Sequence, residues 1–412
     1  MKNLIRGLSL GAVLLAGLLA GPGMSVAATK PPKIEAASWA LIDARTGQTL
    51  AQKSQNRRLP MASTTKMMTA YLALRNLSMG EVVNAADYRG APVESLMGLE
   101  PGQKVSVRDL LYGLILLSGN DAAVTLATAV SGTVPRFVGL MNRTAQRLGL
   151  SDTSYQNPIG LDGPRQYSSA ADLVTLGRIL MRMPRFRPIA SARTAELRSF
   201  RPPVEIETGN EFVRDNPWAL GIKTGQTNLA GYVLASDGRR EATELIAAVM
   251  GTASEAARDS QTVRLMDYGF SLYEKRVPIR TGRPVERIPV RFEDRDLRVV
   301  SPRSVRVGVR QGDDLTVAVD LPEEVEGPIR RGQRLGTATV SLDGDEIGRV
   351  PLLADRAVAE PGLVERGLEG LSSNLVYVFI ALFVILVLLL LLKRRKESEM
   401  RKRLARAGRR SR

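Results

Sequence analysis

Three short motifs in this chain combine hydroxyl, amine and amide side chains of the kinds used in acyl transfer. A serine and a lysine three residues apart, Ser63 and Lys66, come first. A Ser-Gly-Asn triplet at 118–120 begins 55 residues after Ser63, and a Lys-Thr-Gly triplet at 223–225 begins 105 residues later. Each motif alone is weak, because such short patterns recur by chance in a chain of 412 residues. Each occurs once and in this order, so together they indicate one catalytic site.

The chain has no histidine and no cysteine, so another kind of base must activate a nucleophile. This excludes a Ser-His-Asp triad, a thiol nucleophile, disulfide bonds and zinc sites built from cysteine and histidine. A magnesium or calcium site made only of carboxylates stays possible. A lysine one helical turn from a serine faces it, and partial burial lowers the lysine pKa so that the amine can accept the hydroxyl proton. We predict Ser63 as nucleophile and Lys66 as general base; the alternative is a helix N-cap and a solvated lysine.

The other two motifs supply groups that could handle a proton and a peptide. The hydroxyl of Ser118 can relay a proton between the lysine and a leaving amine, and the amide of Asn120 can hold a substrate backbone. In the third motif, the cation of Lys223 and the hydroxyl of Thr224 suit a substrate carboxylate, and Gly225 permits close approach by a peptide. Ser-Gly-Asn is also a common turn sequence, which is the alternative reading of that triplet.

The first motif lies at the start of a predicted helix, and the second lies at a predicted break between two helices. Residues 63–77 contain no glycine or proline and are rich in methionine and leucine, which predicts a helix carrying the first motif. Ser106 and Asp109 have the spacing of a capping box at the start of a second apolar helix. This helix is predicted to break at 118–120 and to resume at residue 121.

The third motif follows a predicted strand at 219–222. Residues 38–43 predict a further strand, and 232–236 and 244–250 predict two strands around a turn at Asp237-Gly238. The first part of the chain therefore mixes helices with strands.

After about residue 278 the pattern changes to short alternating segments, which predict a small all-β domain. Asp343-Gly344 predicts the hairpin turn before its last strand. The predicted strands are 287–292, 304–309, 315–321, 336–342 and 347–353.

Both ends of the chain contain segments typical of membrane proteins. Lys2 and Arg6 precede an apolar stretch, and small residues around Ala27 and Ala28 follow it, which predicts a cleavable secretory signal. An uncleaved anchor is the alternative. Residues 375–392 form an uncharged run of eighteen that predicts a membrane-spanning helix. The cations that follow mark the cytoplasmic side, so the body of the chain is expected outside the cytoplasm.

The net charge of +16 is concentrated at the termini. The tail, 393–412, carries +9 and the leader +2, so the rest of the chain carries only +5. This distribution argues against nucleic acid as a partner, and anionic lipid is the expected partner of the tail.

The chain resembles the low-molecular-mass penicillin-binding proteins of the D-alanyl-D-alanine carboxypeptidase type over residues 35–355. The resemblance extends beyond the three motifs to the residues around them. The resembling segments are 60–69, 117–123, 157–162, 167–173 and 221–232, with 327–329, 332–333 and 350–352 in the β-rich part.

The resemblance implies a fold and an activity. The fold is a serine β-lactamase-like α/β (α+β) transpeptidase domain, with an antiparallel sheet flanked by helices, followed by the small all-β domain and the C-terminal transmembrane helix. Ser63 would attack the penultimate D-Ala carbonyl of a peptidoglycan stem peptide, release the terminal D-Ala and leave an acyl-enzyme for water to hydrolyse. Penicillin would acylate the same serine. No cofactor or metal is implied.

The resemblance also assigns two residues outside the motifs. The backbone N–H groups of Ser63 and Gln226 would form the oxyanion hole. Arg258 would be a second contact for the substrate carboxylate, the alternative being a solvated helix arginine. The segment 156–167 would border the site. Some members of the family have histidines where this chain has Gln226 and Ile159. The role of Gln226 depends on its backbone N–H, so it does not require a histidine there. The absence of a histidine at Ile159 leaves the deacylation rate open.

The organisation that follows is a single-pass protein of the inner membrane with its catalytic domain in the periplasm. A β-lactamase, an endopeptidase acting on cross-links and a catalytically silent wall-binding protein are the alternatives. The predicted segments are a signal peptide at 1–28, a peptidase domain at 29–278, a β-rich domain at 279–360, a linker at 361–374, a transmembrane helix at 375–392 and a basic cytoplasmic tail at 393–412.

Overall fold

The computed structural model describes residues 30–407 of the chain, so the predicted signal peptide and the last five residues lie outside the described part. Two compact units are present. Within the described residues, one comprises 30–276 together with Arg306–Asp313, and the other comprises Val277–Val305 and 314–407. The strands are β1 Ser38–Asp43, β2 Thr49–Lys53, β3 Val82–Asn84, β4 Lys104–Ser106, β5 Thr194–Leu197, β6 Val204–Glu207, β7 Ala219–Thr227, β8 Gly231–Arg240, β9 Thr243–Thr252, β10 Glu274–Ile279, β11 Pro284–Ile288, β12 Leu297–Val300, β13 Val305–Val309, β14 Leu315–Asp320, β15 Arg334–Leu342 and β16 Asp345–Ala354.

Helices surround the sheet of the first unit, and one long helix ends the described chain. A short 3-10 helix, Ala62–Thr65, leads directly into α1. The α-helices are α1 Lys66–Asn76, α2 Val107–Leu116, α3 Asn120–Ser131, α4 Val134–Arg147, α5 Ala170–Met181, α6 Arg187–Ala190, α7 Glu211–Asp215, α8 Glu255–Ser271 and α9 Leu363–Ala407.

The first unit is built on a five-stranded antiparallel sheet in the order β2-β1-β9-β8-β7. Side chains along β1 alternate between two apolar clusters, because successive residues of a strand point to opposite faces. Ile42 packs into the cluster that contains α1 to α5, whereas Leu41 packs into the cluster that contains Leu265 of α8. Helices thus cover both faces, and β7 forms one edge of the sheet.

The helices predicted around the first two motifs are confirmed, with two local differences. The first turn of the 63–77 segment is 3-10, so the α-helix proper begins at Lys66. Only half of the capping box forms. Ser106 Oγ accepts from the Asp109 N–H at 3.2 Å, but the Asp109 carboxylate accepts the N–H of Ser199 at 2.7 Å instead of that of Ser106.

The turn predicted at Asp237-Gly238 is wrong. Both residues lie inside β8, and the chain turns at Glu241, whose φ is +54°. Gly238 serves packing rather than a turn, because a Cβ atom there would lie 2.6 Å from the ring of Trp218. The glycine is therefore required by its contact with Trp218, whereas the local sequence pattern had predicted a hairpin turn.

The second unit contains a five-stranded antiparallel sheet in the order β11-β12-β16-β15-β14. Buried Val340, Val350 and Leu352 belong to its apolar core. The hairpin turn predicted at Asp343-Gly344 is confirmed, with φ of +53° and +84° at the two positions, as a tight type I′ turn requires. Strand β12 was not among the predicted strands.

The predicted membrane segment lies within α9. The helical stretch Tyr377–Arg401 is long and apolar enough to contain a membrane span, and its uncharged part ends at Leu392. Its apolar side chains are exposed, as those of a lipid-facing helix would be. The segment predicted as a linker, 361–374, is helical from Leu363.

Candidate active site

The serine and the lysine of the first motif are in direct contact. Ser63 lies in the 3-10 helix and Lys66 is the first residue of α1. The two side chains therefore lie one helical turn apart, on the same side of the helix. Lys66 Nζ lies 2.9 Å from Ser63 Oγ and donates to the carbonyl oxygen of Ile159 at 2.7 Å. Ser63 is half-buried, whereas Lys66 has no exposed surface. The alternative of a solvated lysine is therefore wrong.

Lys66 has the electrostatic environment of a base. Burial lowers its pKa well below the ordinary value, because charging an amine away from water is costly, and the nearby cation of Lys223 lowers it further. The carboxylates of Glu94 and Asp121 raise it in part. A neutral Lys66 has a lone pair available for the Ser63 proton at the observed distance.

The second motif forms the corner between α2 and α3. Ser118 has a φ of +59°, a left-handed conformation that is uncommon for residues other than glycine and often occurs at functional sites. Asn120 is the first residue of α3 and its side-chain Nδ2 donates to Glu94 at 2.7 Å. In the described part of the chain, the Ser118 hydroxyl makes no hydrogen bond to Ser63 or Lys66.

The third motif lies on the edge strand β7, against the nucleophile. A Cβ atom at Gly225 would be 2.8 Å from the Ser63 nitrogen, so only glycine allows this approach. Lys223 is buried and its Nζ donates to the carbonyl oxygen of Thr224 at 3.0 Å. Burial, and then the charge of Arg258, lowers the pKa of Lys223 to about 7. The side chain of Gln226 is exposed and donates to the hydroxyl of Tyr232.

The segment 156–167 borders the site as predicted. Its Pro158 carbonyl accepts from the Thr69 hydroxyl of α1 at 2.7 Å, next to the contact between Ile159 and Lys66. Gly160 has a φ of +103°, and a Cβ there would lie 2.0 Å from the carbonyl oxygen of Ala62. Asp162 accepts from the hydroxyl of Thr227 at 2.7 Å, which joins the segment to the end of β7.

Arg258 is buried on α8 with 2% of its side chain exposed, so the alternative of a solvated arginine is wrong. Its guanidinium donates to Glu255 at 2.8 Å and to both carboxylate oxygens of Asp259 at 2.8 Å. These two carboxylates and that of Glu211 lie within 4.8 Å of one another. Arg258 supplies the cation for this acidic group, and its charge reaches Lys223.

Glu94 and Asp121 belong to the site but were not predicted. Asp121 accepts the backbone N–H groups of Met97 and Gly98 at 2.8 Å. Asp121 could have been found from the sequence, because it directly follows the second motif. Glu94 carried no such signal, because it reaches Asn120 across 26 residues of chain.

Comparison with known sequence families identifies both parts of the chain. Residues 25–254 match the D-alanyl-D-alanine carboxypeptidase family of S11 peptidases, and residues 273–360 match the C-terminal domain of penicillin-binding protein 5. The D-alanyl-D-alanine carboxypeptidase DacA of Escherichia coli is 34% identical over 346 residues, which cover 80% of this chain and 85% of that protein. DacF of Bacillus subtilis is 29% identical over 340 residues, covering 80% and 87%.

The fold is similar to solved structures of the same group. Penicillin-binding protein 5 from Haemophilus influenzae matches with a TM-score of 0.57 and 30% identity, covering 81% of this chain and all of that one. The predicted fold class, an α/β catalytic domain followed by an all-β domain, is confirmed. The chain belongs to the serine D-alanyl-D-alanine carboxypeptidases, the hydrolases also known as low-molecular-mass penicillin-binding proteins.

Proposed function

We propose that this carboxypeptidase works through a covalent acyl-enzyme on Ser63, with Lys66 as the general base. The 2.9 Å contact between Lys66 Nζ and Ser63 Oγ carries this proposal. It joins a half-exposed hydroxyl to a fully buried amine whose pKa is held low by burial. A serine hydroxyl is a weak nucleophile until such a neighbour takes its proton.

In the acylation step, Ser63 Oγ bonds to the carbonyl carbon of the penultimate D-Ala while its proton moves to Lys66. The oxyanion accepts hydrogen bonds from the backbone N–H groups of Ser63 and Gln226; the packing of β7 on the nucleophile at Gly225, the residue before Gln226, supports this pairing. The C–N bond then breaks, and the leaving amine receives the proton through Ser118. Water hydrolyses the ester, with Lys66 again as the base, and restores Ser63.

The substrate is the stem peptide of peptidoglycan, lying along the open edge of β7. An edge strand has free backbone donors and acceptors for an added peptide strand, and Asn120 would hold that peptide from the opposite side. Lys223 and Thr224 would bind the terminal carboxylate. Arg258, although engaged by two acidic residues, would act on the same carboxylate as a second positive charge behind Lys223.

Penicillin acylation of Ser63 tests the covalent step directly. Intact-protein mass spectrometry of the full chain in detergent should show one penicilloyl group per molecule after incubation with penicillin. Ser63→Ala should show none, whereas Ser260→Ala, which removes an exposed hydroxyl on α8, should be labelled like the wild type. Release of free D-Ala from a peptide ending in D-Ala-D-Ala should follow the same pattern. A wild-type chain that released D-Ala while neither forming an adduct nor hydrolysing penicillin would contradict acylation of Ser63 by penicillin.

We further propose that α9 anchors the chain in the inner membrane, with the peptidase domain 29–278 and the β-rich domain 279–360 in the periplasm. The cluster of cations that begins at Lys393 supports this orientation. The tail, 393–412, would lie in the cytoplasm against anionic lipid, and nucleic acid is not a proposed partner.

The absence of cysteine from the natural sequence makes this orientation easy to test. Single cysteines introduced at Ser398 and at Ser260 provide one reporter on either side of the proposed span. A membrane-impermeant maleimide added to cells with a permeabilised outer membrane should label Ser260→Cys, and should label Ser398→Cys only after lysis. The reverse labelling pattern would refute the orientation.

A further inference from the structure

The segment 87–99, which lies between β3 and β4, is held by hydrogen bonds to the beginning of α3, beside the catalytic serine and lysine. The backbone N–H of Asn120 donates to the carbonyl oxygen of Ser95 at 2.8 Å. The Asp121 carboxylate accepts three successive backbone N–H groups of the same segment, from Met97, Gly98 and Leu99, at 2.8 to 3.0 Å. The segment therefore has a fixed position relative to Asn120.

Glu94 is the residue of this segment that reaches the side chain of Asn120. Its carboxylate accepts hydrogen bonds from the Tyr88 hydroxyl, from the Ala91 N–H at 3.0 Å and from Asn120 Nδ2 at 2.7 Å. Burial raises the pKa of Glu94, but these hydrogen bonds and the charge of Lys66 outweigh burial and bring it below the ordinary value. Glu94 is therefore ionised at neutral pH.

An ionised carboxylate decides which way the Asn120 amide points. A carboxylate only accepts hydrogen bonds, so the NH2 group of Asn120, and not its carbonyl oxygen, must face Glu94. One N–H of the amide is then used, while the second N–H and the carbonyl oxygen stay available. With a neutral partner at position 94, either orientation of the amide could be accommodated.

Glu94 also acts on the base through its charge. It is the larger of the two acidic influences on Lys66, and it opposes the effect of burial by raising the pKa of that amine. The Glu94 carboxylate thus accepts a hydrogen bond from Asn120 and favours protonation of Lys66. Tyr88 holds the carboxylate from the other side.

We propose that Glu94 is a positioning residue of the carboxypeptidase. It fixes the Asn120 amide so that one N–H and the carbonyl oxygen face the stem peptide. This inference rests on the role proposed above for Asn120.

The test uses the full chain and release of D-Ala from a peptide ending in D-Ala-D-Ala. Glu94→Ala should lower kcat/KM about 10- to 100-fold, the usual worth of a hydrogen bond to a charged group. In an Asn120→Ala background, the same substitution should cost less than about 2-fold, because the residue it positions is absent. Glu94→Gln keeps the shape and removes the charge. It should also lower kcat/KM, because a neutral partner accommodates either orientation of the Asn120 amide, and this loss too should shrink in the Asn120→Ala background.

Asp87→Asn is the matched control, because it removes an exposed carboxylate paired with Arg89 from the same segment. Its rate and pH profile should equal those of the wild type. If Glu94→Ala fails to fold, Glu94→Gln measured with and without Asn120 decides the matter. Equal losses with and without Asn120 would overturn the inference. Full turnover by Asn120→Ala would instead refute the role proposed for Asn120.

Discussion

Gly225 of β7 approaches the backbone of Ser63 so closely that a Cβ atom on the glycine would lie 2.8 Å from the Ser63 nitrogen. The same Cβ would be 2.9 Å from the Cβ of Ala62 and 3.2 Å from the carbonyl oxygen of Met61. Two of these three neighbours are backbone atoms, which cannot rotate away. The absence of a side chain at Gly225 therefore sets the separation between the nucleophile and β7, the strand proposed to bind substrate.

Gly225→Ala should consequently separate β7 from the 3-10 helix and impair catalysis. A displacement of about 1 Å can cost roughly 100-fold in rate, and we expect a loss of that order in D-Ala release. Gly80→Ala is the control, because a Cβ at Gly80 meets nothing within 4 Å. Wild-type turnover by Gly225→Ala would show that the close approach has no catalytic role.

Lys66→Met should remove the base while keeping much of the volume of the side chain. We expect D-Ala release to fall by roughly 100- to 10,000-fold, the usual contribution of a positioned general base. Thermal unfolding should show a fold as stable as the wild type or more so, because a buried amine is replaced by an apolar group. Lys66→Arg places a permanent charge there that cannot lose its proton, so it should be equally inactive. Turnover by either variant at the wild-type rate would contradict the role of Lys66.

The proximity of Ser63 and Lys66 could be predicted from sequence because it depends on local geometry. Residues three apart at the beginning of a helix face each other whatever surrounds them. The Asp343-Gly344 hairpin was predictable for the same reason, since a tight turn has local requirements. Burial of Lys66 was not visible in this way, because the residues that cover it include Ile159, 93 positions further along the chain.

The features that sequence missed depend on contacts between distant segments. Asp237-Gly238 has the composition of a turn, but Trp218 occupies the space over the glycine and the strand continues. Arg258 looks like a surface residue by type, although it is buried, and Glu211, which is distant in sequence, lies beside its partners Glu255 and Asp259. Local pattern contains no information on such pairings.

The cation proposed to bind the substrate carboxylate should be lost within the ordinary pH range. Burial and the charge of Arg258 lower the pKa of Lys223 to about 7, so the amine is protonated below that pH and neutral above it. We therefore expect kcat/KM for a D-Ala-D-Ala peptide to fall as pH rises through about 7, mainly through KM. In Lys223→Arg the cation persists, and the fall should disappear even if the rate is lower. A base limb with the same midpoint in both proteins would assign it to another group.

Asp237 offers a prediction about stability away from the catalytic serine. It is fully buried in β8, and neither carboxyl oxygen has a well-formed hydrogen bond in the described part of the chain, although Glu244 is near. Burial, and then the charge of Glu244, raises the pKa of Asp237 well above its ordinary value. The folded state therefore holds a proton that the unfolded state releases near pH 4. Stability should decrease as pH rises from about 4 towards the raised pKa of the folded state.

Asp237→Asn cannot ionise and should remove this pH-dependent loss. We expect its free energy of unfolding at pH 7 to exceed that of the wild type, because each unit by which the pKa of Asp237 in the folded state exceeds that in the unfolded state costs the wild type about 1.4 kcal/mol at a pH above both. The difference should shrink towards pH 4, where the aspartate is protonated in both states. Urea unfolding of the full chain in detergent at pH 4.5 and pH 7 measures both values, with the exposed Asp215→Asn as control. An Asp237→Asn protein less stable than the wild type at pH 7 would show instead that the charge of Asp237 is needed, with Arg187 and Arg239 as the cations that would compensate it.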